Sequence, residues 1–118
     1  MTDISAVIEF VRAQYADPNI SVLELSRTYG ICSRHLGRLF KRTTGKTFRC
    51  YLRDLRVCEA ARLLTTSTYE IKMIASFVGY RDRSHFGEDF RFVTGYTPAE
   101  YRLRHRTQES VKTATLSH

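Results

Sequence analysis

The chain states one pattern twice, about fifty residues apart, first from Leu25 to Leu52 and again from Ile74 to Arg102. Gly30 answers Gly79, His35 answers His85, Leu36 answers Phe86 and Gly37 answers Gly87. Phe40 then answers Phe90, Thr44-Gly45 answers Thr94-Gly95, and Tyr51 answers Tyr101. Between the first glycine and the histidine the register slips by one residue, so the two turns differ in length. Such duplication within 118 residues leaves few folds open. Each unit alone is too short to bury a convincing core, so a shared element should join them.

Apolar periodicity assigns helices and no strand. Ile4, Val7, Ile8, Val11 and Tyr15 fall on one stripe, which predicts a helix from Asp3 to about Tyr15, stopped by Asp17-Pro18-Asn19. Ser21 and Glu24 form a capping box for a second helix ending at Gly30. A third starts near Cys32-Ser33 and runs to Thr44, with Leu36, Leu39 and Phe40 inward and Gly45 closing it. Thr47 caps a long fourth helix, Phe48 to about Thr65, whose stripe is Phe48, Tyr51, Leu52, Leu55 and Cys58. Past Cys58, Ala60, Ala61, Leu63 and Leu64 spread around the helix, as suits a segment packed between two bodies. A fifth helix covers Glu70 to Val78, with Ile71, Ile74, Ala75 and Val78 inward. Asp82 caps a sixth, which runs to Thr94 with Phe86, Phe90 and Val93 inward. Thr97-Pro98-Ala99-Glu100 is a capping box with proline at the first helical position, opening a seventh helix to about Arg106. The expected architecture is all-α. Two helix-turn-helix subdomains, 1–47 and 66–106, flank a linker helix over 48–65, and 107–118 form a disordered polar tail.

The net charge of +7 is concentrated in the repeat. Arg27 to Arg56 holds nine basic residues and one acid, Asp54. Such a field attracts a polyanion. Cys32, Cys50 and Cys58 are odd in number and irregularly spaced, which argues against a disulfide framework and against zinc, and reads as reduced packing thiols. No long apolar run suits a membrane span, and the N-terminus lacks a signal-peptide pattern, so a cytoplasmic, nucleoid-associated location is expected. The carboxylates are scattered, no Ser/His/Asp or Cys/His set stands out, and no glycine-rich phosphate loop follows a strand. Neither catalysis nor a cofactor or metal is expected.

A short helix, a turn and a helix of about three turns fit the major groove of B-DNA. In the third helix the inward stripe leaves Arg34, Gly37, Arg38 and Lys41 in one row on the opposite face. A guanidinium donates two hydrogen bonds to guanine O6 and N7, so Arg34 and Arg38 are base-reading candidates, with Gly37 permitting close approach. Ser33, Lys41, Arg42, Lys46 and Arg49 suit phosphates. The corresponding row in the sixth helix is Arg83, Ser84, Gly87 and Glu88, with Arg91 for a phosphate. That face is less basic, and Glu88 and Asp89 stand side by side. It either reads a cytosine-containing step or binds weakly and positions the protein. His35 and His85 are expected to pack or to contact a backbone.

The segment from Ser21 to Arg102 resembles the AraC/XylS family of bacterial transcription regulators. The resemblance rests on Gly79-Tyr80-Arg81-Asp82-Arg83-Ser84-His85-Phe86, then Phe90, Gly95, Thr97-Pro98 and Tyr101-Arg102. Leu36, Arg38, Phe40-Lys41 and Thr44-Gly45 add to it from the first unit. It implies seven helices, two helix-turn-helix subdomains joined by a long helix, and the reading of adjacent major-groove segments by the third and sixth helices. It also implies activation of transcription through RNA polymerase. Cys32 stands where the family usually has a capping serine, which leaves Ser33 to cap. Glu88 stands where the family usually has arginine.

A linker of about 18 residues is ~27 Å long, against ~34 Å between successive major grooves on one face of DNA. A rigid rod a little short of that span favours DNA bent toward the protein. Two readers in one chain let a monomer use an asymmetric site; a longer protein carrying this segment can dimerise through another domain. The competing function is a helical RNA-binding or polymerase-docking module.

Overall fold

The computed structural model describes residues 3–105. Their elements are α1 (Ile4–Gln14), α2 (Val22–Tyr29), α3 (Ser33–Thr44), α4 (Phe48–Thr66), α5 (Ile71–Phe77) and α6 (Arg83–Thr94). Residues 98–105 form a seventh helical segment, α7, and no strand occurs among the described residues. The described residues are therefore all-α, with seven helices. The tail expected at 107–118 lies outside the described residues. The described residues divide into two compact units, one up to Arg56 and one from Val57, with the boundary inside α4.

In the first unit, α1, α2, α3 and the start of α4 enclose Val7, Val11, Leu25, Leu36, Phe40, Phe48 and Leu52. Asp3 caps α1 by accepting from the Ser5 N–H at 3.0 Å, and Ser21 caps α2 by accepting from the Glu24 N–H at 3.1 Å. The Glu24 carboxylate pairs with Arg27 at 3.4 Å. Gly30 turns the chain from α2 into α3 at φ 67°, a left-handed conformation that glycine adopts without strain. Arg56, only 9 % exposed, donates from Nε to the Tyr15 carbonyl at 2.8 Å and from Nη2 to the Asp17 carbonyl at 3.0 Å. It thereby satisfies carbonyls that the end of α1 leaves without intrahelical partners.

The second unit buries Val57, Ala60, Leu64, Ile74, Ala75, Val78, Tyr80, Phe86 and Phe90. Arg102 plays a comparable part: its Nε donates to the Leu64 carbonyl at 3.0 Å and its Nη2 to the Ser67 carbonyl at 3.4 Å. The duplication extends to the turns that follow α3 and α6. Thr44 donates to the Phe40 carbonyl at 2.8 Å and accepts from the Lys46 N–H at 3.2 Å. Thr94 donates to the Phe90 carbonyl at 2.8 Å and accepts from the Tyr96 N–H at 3.2 Å. Gly45 and Gly95 close the two helices at φ 81° and 83°. Phe40 meets Tyr51 edge-on at 5.1 Å, and Phe90 meets Tyr101 edge-on at 5.3 Å.

Two packing expectations need correction. Val93 is 41 % exposed rather than inward, and Thr43 at the equivalent position of α3 is exposed as well. At 100° per residue Val93 falls on the same side of α6 as the buried Phe86 and Phe90, so its exposure means that the cover of that side ends before it. Cys58 is exposed because the buried residues of α4 do not continue the first stripe; after Leu52 they are Arg56, Val57, Ala60 and Leu64.

Candidate nucleic-acid interface

α3 has a closed side and an open side. Leu36 and Phe40 are buried, while Arg34, Arg38, Lys41 and Arg42 are exposed. A hollow of about 730 Å³ lies against the open side. Val22 and Phe48 give it an apolar lining, Gly37 contributes bare backbone, and Arg34, Arg38, Lys41, Arg42 and Arg49 supply cations. A side chain added at Gly37 meets nothing within 4 Å, so no packing inside the protein requires glycine there. The structure thus gathers Arg34, Gly37, Arg38, Lys41, Arg42 and Arg49 on one surface. Ser33 and Lys46 are exposed but do not line the hollow.

The ion pairs sort the cations further. Lys46 binds Asp54 at 2.6 Å, and Arg53 binds the same carboxylate at 3.1 Å. Burial pushes the Asp54 carboxyl up, but these two partners hold it below the usual carboxylate range. Arg62 pairs with Glu59, and Lys72 pairs with Glu70 at 3.5 Å. Arg56 and Arg102 are spent on carbonyls. Among the described residues, Arg34, Arg38, Lys41, Arg42 and Arg49 form no ion pair. Arg56 stands four residues after Leu52 and four before Ala60, within the apolar stripe of α4. That position was the sequence signal for a structural arginine, and the reading by net charge missed it.

Cys32 is the N-cap residue of α3 and forms no side-chain capping hydrogen bond. Ser33 is already the first helical residue, so it does not cap as expected. The backbone N–H groups of His35 and Arg34 nevertheless hold the Cys32 thiol below the ordinary pKa against desolvation, with smaller help from the charges of Arg34 and Arg38. Cys32 and Cys58 are exposed and Cys50 is half-buried, so the reading as packing thiols fails for the first two. Among the described residues, no group of three or more His, Cys, Asp or Glu side chains is arranged to hold a metal ion. No helix among them is long and apolar enough to cross a membrane.

In the second unit, Asp82 caps α6 by accepting from the Ser84 N–H at 2.8 Å. Phe86 and Phe90 are buried, and Arg83, Ser84, Glu88 and Arg91 are exposed. A smaller hollow of about 140 Å³ touches Arg83, Gly87, Pro98 and Ala99, and Arg83 is its one cation, against five in its counterpart. Asp89 is not a neighbour of Glu88 on the open face. It accepts from the Tyr80 hydroxyl at 2.7 Å and stands 3.4 Å from His85 Nε2. His85 in turn meets the Tyr80 ring edge-on at 5.3 Å. Neither His85 nor Asp89 is free to serve as a reader without breaking this cluster.

Two units of short helix, turn and three-turn helix, each with an apolar inner side and a polar outer side, define a helix-turn-helix protein. The chain belongs to the AraC/XylS family: the family's helix-turn-helix domain model matches residues 25–104. It is 42 % identical over 74 residues to the HTH-type transcriptional activator RhaR of Cronobacter sakazakii, covering 63 % of this chain and 26 % of that one. The chain thus spans about a quarter of the length of the curated relatives it matches. Among solved structures, it is similar to the DNA-binding domain of the global transcriptional factor AdpA in complex with a target DNA. The TM-score is 0.85 and the identity 27 %, over 92 % of this chain and 96 % of that one. The C-terminal domain of the two-component response regulator yesN from Fusobacterium nucleatum matches at TM-score 0.79 and 28 % identity, over 86 % and 99 % of the two chains.

Proposed function

We propose that this chain is a sequence-specific, double-stranded-DNA-binding module of a transcription activator, reading adjacent major-groove segments with α3 and α6. On this reading residues 1–47 and 66–106 are the two helix-turn-helix subdomains and 48–65 the linker. Arg34, Gly37 and Arg38 read bases for the first subdomain, and Arg83, Ser84, Gly87 and Glu88 for the second. Ser33, Lys41, Arg42, Lys46, Arg49 and Arg91 hold phosphates, Lys46 only by leaving Asp54. The observation that carries the reading is the row of cations on α3 without internal acid partners, laid over a fully buried inner side. A guanidinium held ready for an external acceptor gains more from phosphate or guanine than one already paired.

The similarity to a domain solved with its target DNA and to a transcriptional activator supports the same conclusion. RNA polymerase is the partner proposed for activation, the site of action is the cytoplasmic nucleoid, and no enzymatic activity is assigned. The chain acts as a monomer on an asymmetric site, or as a dimer where a longer protein supplies another domain. In-vitro selection from random duplexes, followed by footprinting, tests the proposal. One enriched, asymmetric site of about two helical turns is expected. Binding to duplexes without sequence preference, or displacement by RNA at equal salt and concentration, counts against it.

A further inference from the structure

α3 and α6 are both twelve residues long and begin at Ser33 and Arg83, so they can be compared position by position. Arg38 on α3 corresponds to Glu88 on α6. Both are exposed, two residues from the buried Leu36 and Phe86 and two from the buried Phe40 and Phe90. At 100° per residue this places each at the middle of the outward side. The chain therefore carries opposite charges at the same point of its two reading helices.

The other acids of the described second unit all have work within the fold. Glu59 pairs with Arg62, and Glu70 pairs with Lys72. Asp82 caps α6, Asp89 accepts from Tyr80, and Glu100 accepts from the Thr97 N–H at 3.3 Å. Glu88 alone among them has no ion pair or hydrogen bond. Beside it Gly87 is open, and a side chain added there meets nothing within 4 Å. A carboxylate at this point on a DNA-facing helix repels phosphates and only accepts hydrogen bonds.

We infer that Glu88 is the specificity-determining residue of the second reader and takes a cytosine through its exocyclic N4 amine. This rests on α6 lying in a major groove, as proposed above. The choice of base follows from the donors and acceptors on each edge. Guanine offers two acceptors and thymine one, so both repel a carboxylate. Adenine couples its donor to an adjacent acceptor. Cytosine offers its amine alone. The division of labour follows: the first unit supplies cationic affinity and takes guanines, while the second adds discrimination at an electrostatic cost.

The test is selection from random duplexes with the whole chain, using the wild type, Glu88→Gln and Glu88→Arg, with circular dichroism melts to verify that each variant folds. The wild type should enrich cytosine at one position within the half of the site covered by α6. Glu88→Gln should lose that preference about tenfold while the α3 half stays unchanged, and Glu88→Arg should replace cytosine by guanine on the same strand. Variants that enrich a site identical to the wild type at every position overturn the inference for Glu88 and leave the DNA-binding function standing. So does a uniform rise in affinity for all sequences, the mark of relieved phosphate repulsion alone. A wild type that enriches no site defeats the DNA-binding reading itself, and this inference with it.

Discussion

Arg38 and Arg56 belong to the same basic segment of sequence, but they meet different surroundings. Arg38 is exposed without an acid partner, whereas Arg56 is buried against two carbonyls. Arg38→Ala should weaken specific DNA binding by ~1–3 kcal/mol and relax preference at one base pair, with little change in melting temperature. Titration against a panel of single-base variants of the selected site checks this; unchanged preference removes Arg38 from the base readers. Arg56→Ala should instead lower stability by ~1.5–3 kcal/mol, because it orphans carbonyls at the end of α1. Urea denaturation measures it, and a loss of binding without a loss of stability would contradict the structural role. The same local reading applies to Cys32. Its pKa is lowered, so its thiolate fraction grows at lower pH than that of an ordinary thiol. Iodoacetamide should label Cys32 before Cys50 and Cys58 at pH 7.5, as peptide mass mapping can show.

Helices impose requirements that single residues do not. Glycine inside a helix costs ~0.5–1 kcal/mol relative to alanine, and Gly37 has open space beside it. Gly37→Ala should therefore stabilise the protein by about that amount and, on the proposed seating of α3 in the major groove, weaken DNA binding by keeping a base edge away. Chemical denaturation and a binding titration on the same sample separate the two effects. The start of α7 depends on a reciprocal cap between Thr97 and Glu100. The Thr97 hydroxyl and N–H hold the Glu100 carboxyl below its ordinary value of 4.5. The folded pKa is depressed, so this stabilisation is fully present above pH 4.5 and is lost as pH falls through the lowered value. Hydrogen exchange of the Thr97 amide should accelerate across that window relative to its intrinsic rate, and Glu100→Gln should flatten the response. The element boundaries and the caps at Ser21, Thr47, Asp82 and Thr97 were legible in sequence because capping is local chemistry. The cap expected of Ser33 was not, because the helix begins one residue earlier than that role requires. The exposure of Val93 and Cys58 was not, because periodicity gives the side of a helix without saying where its cover ends.

At the scale of the whole molecule, the two units carry the same plan with unequal charge. If the first unit supplies most of the phosphate contacts, log K should fall steeply with log salt. Removing Lys41 or Arg49 should flatten the slope by ~1 each and weaken all sequences alike. Removing the paired Lys46 should change it less, since that amine already has Asp54. The slope measured in a salt series on one duplex decides between them. Equal slopes for wild type and Lys41→Ala would place Lys41 off the DNA. The sequence by itself determined the number of helices, the duplicated units and the row of candidate readers. Those follow from period, caps and repetition, which act over a few residues at a time. Only the tertiary structure decided that Arg56 and Arg102 bond to carbonyls, that Asp89 turns to Tyr80, and that Glu88 has no partner. Such facts depend on which atoms distant segments bring together, and neither spacing along the chain nor net charge contains that information.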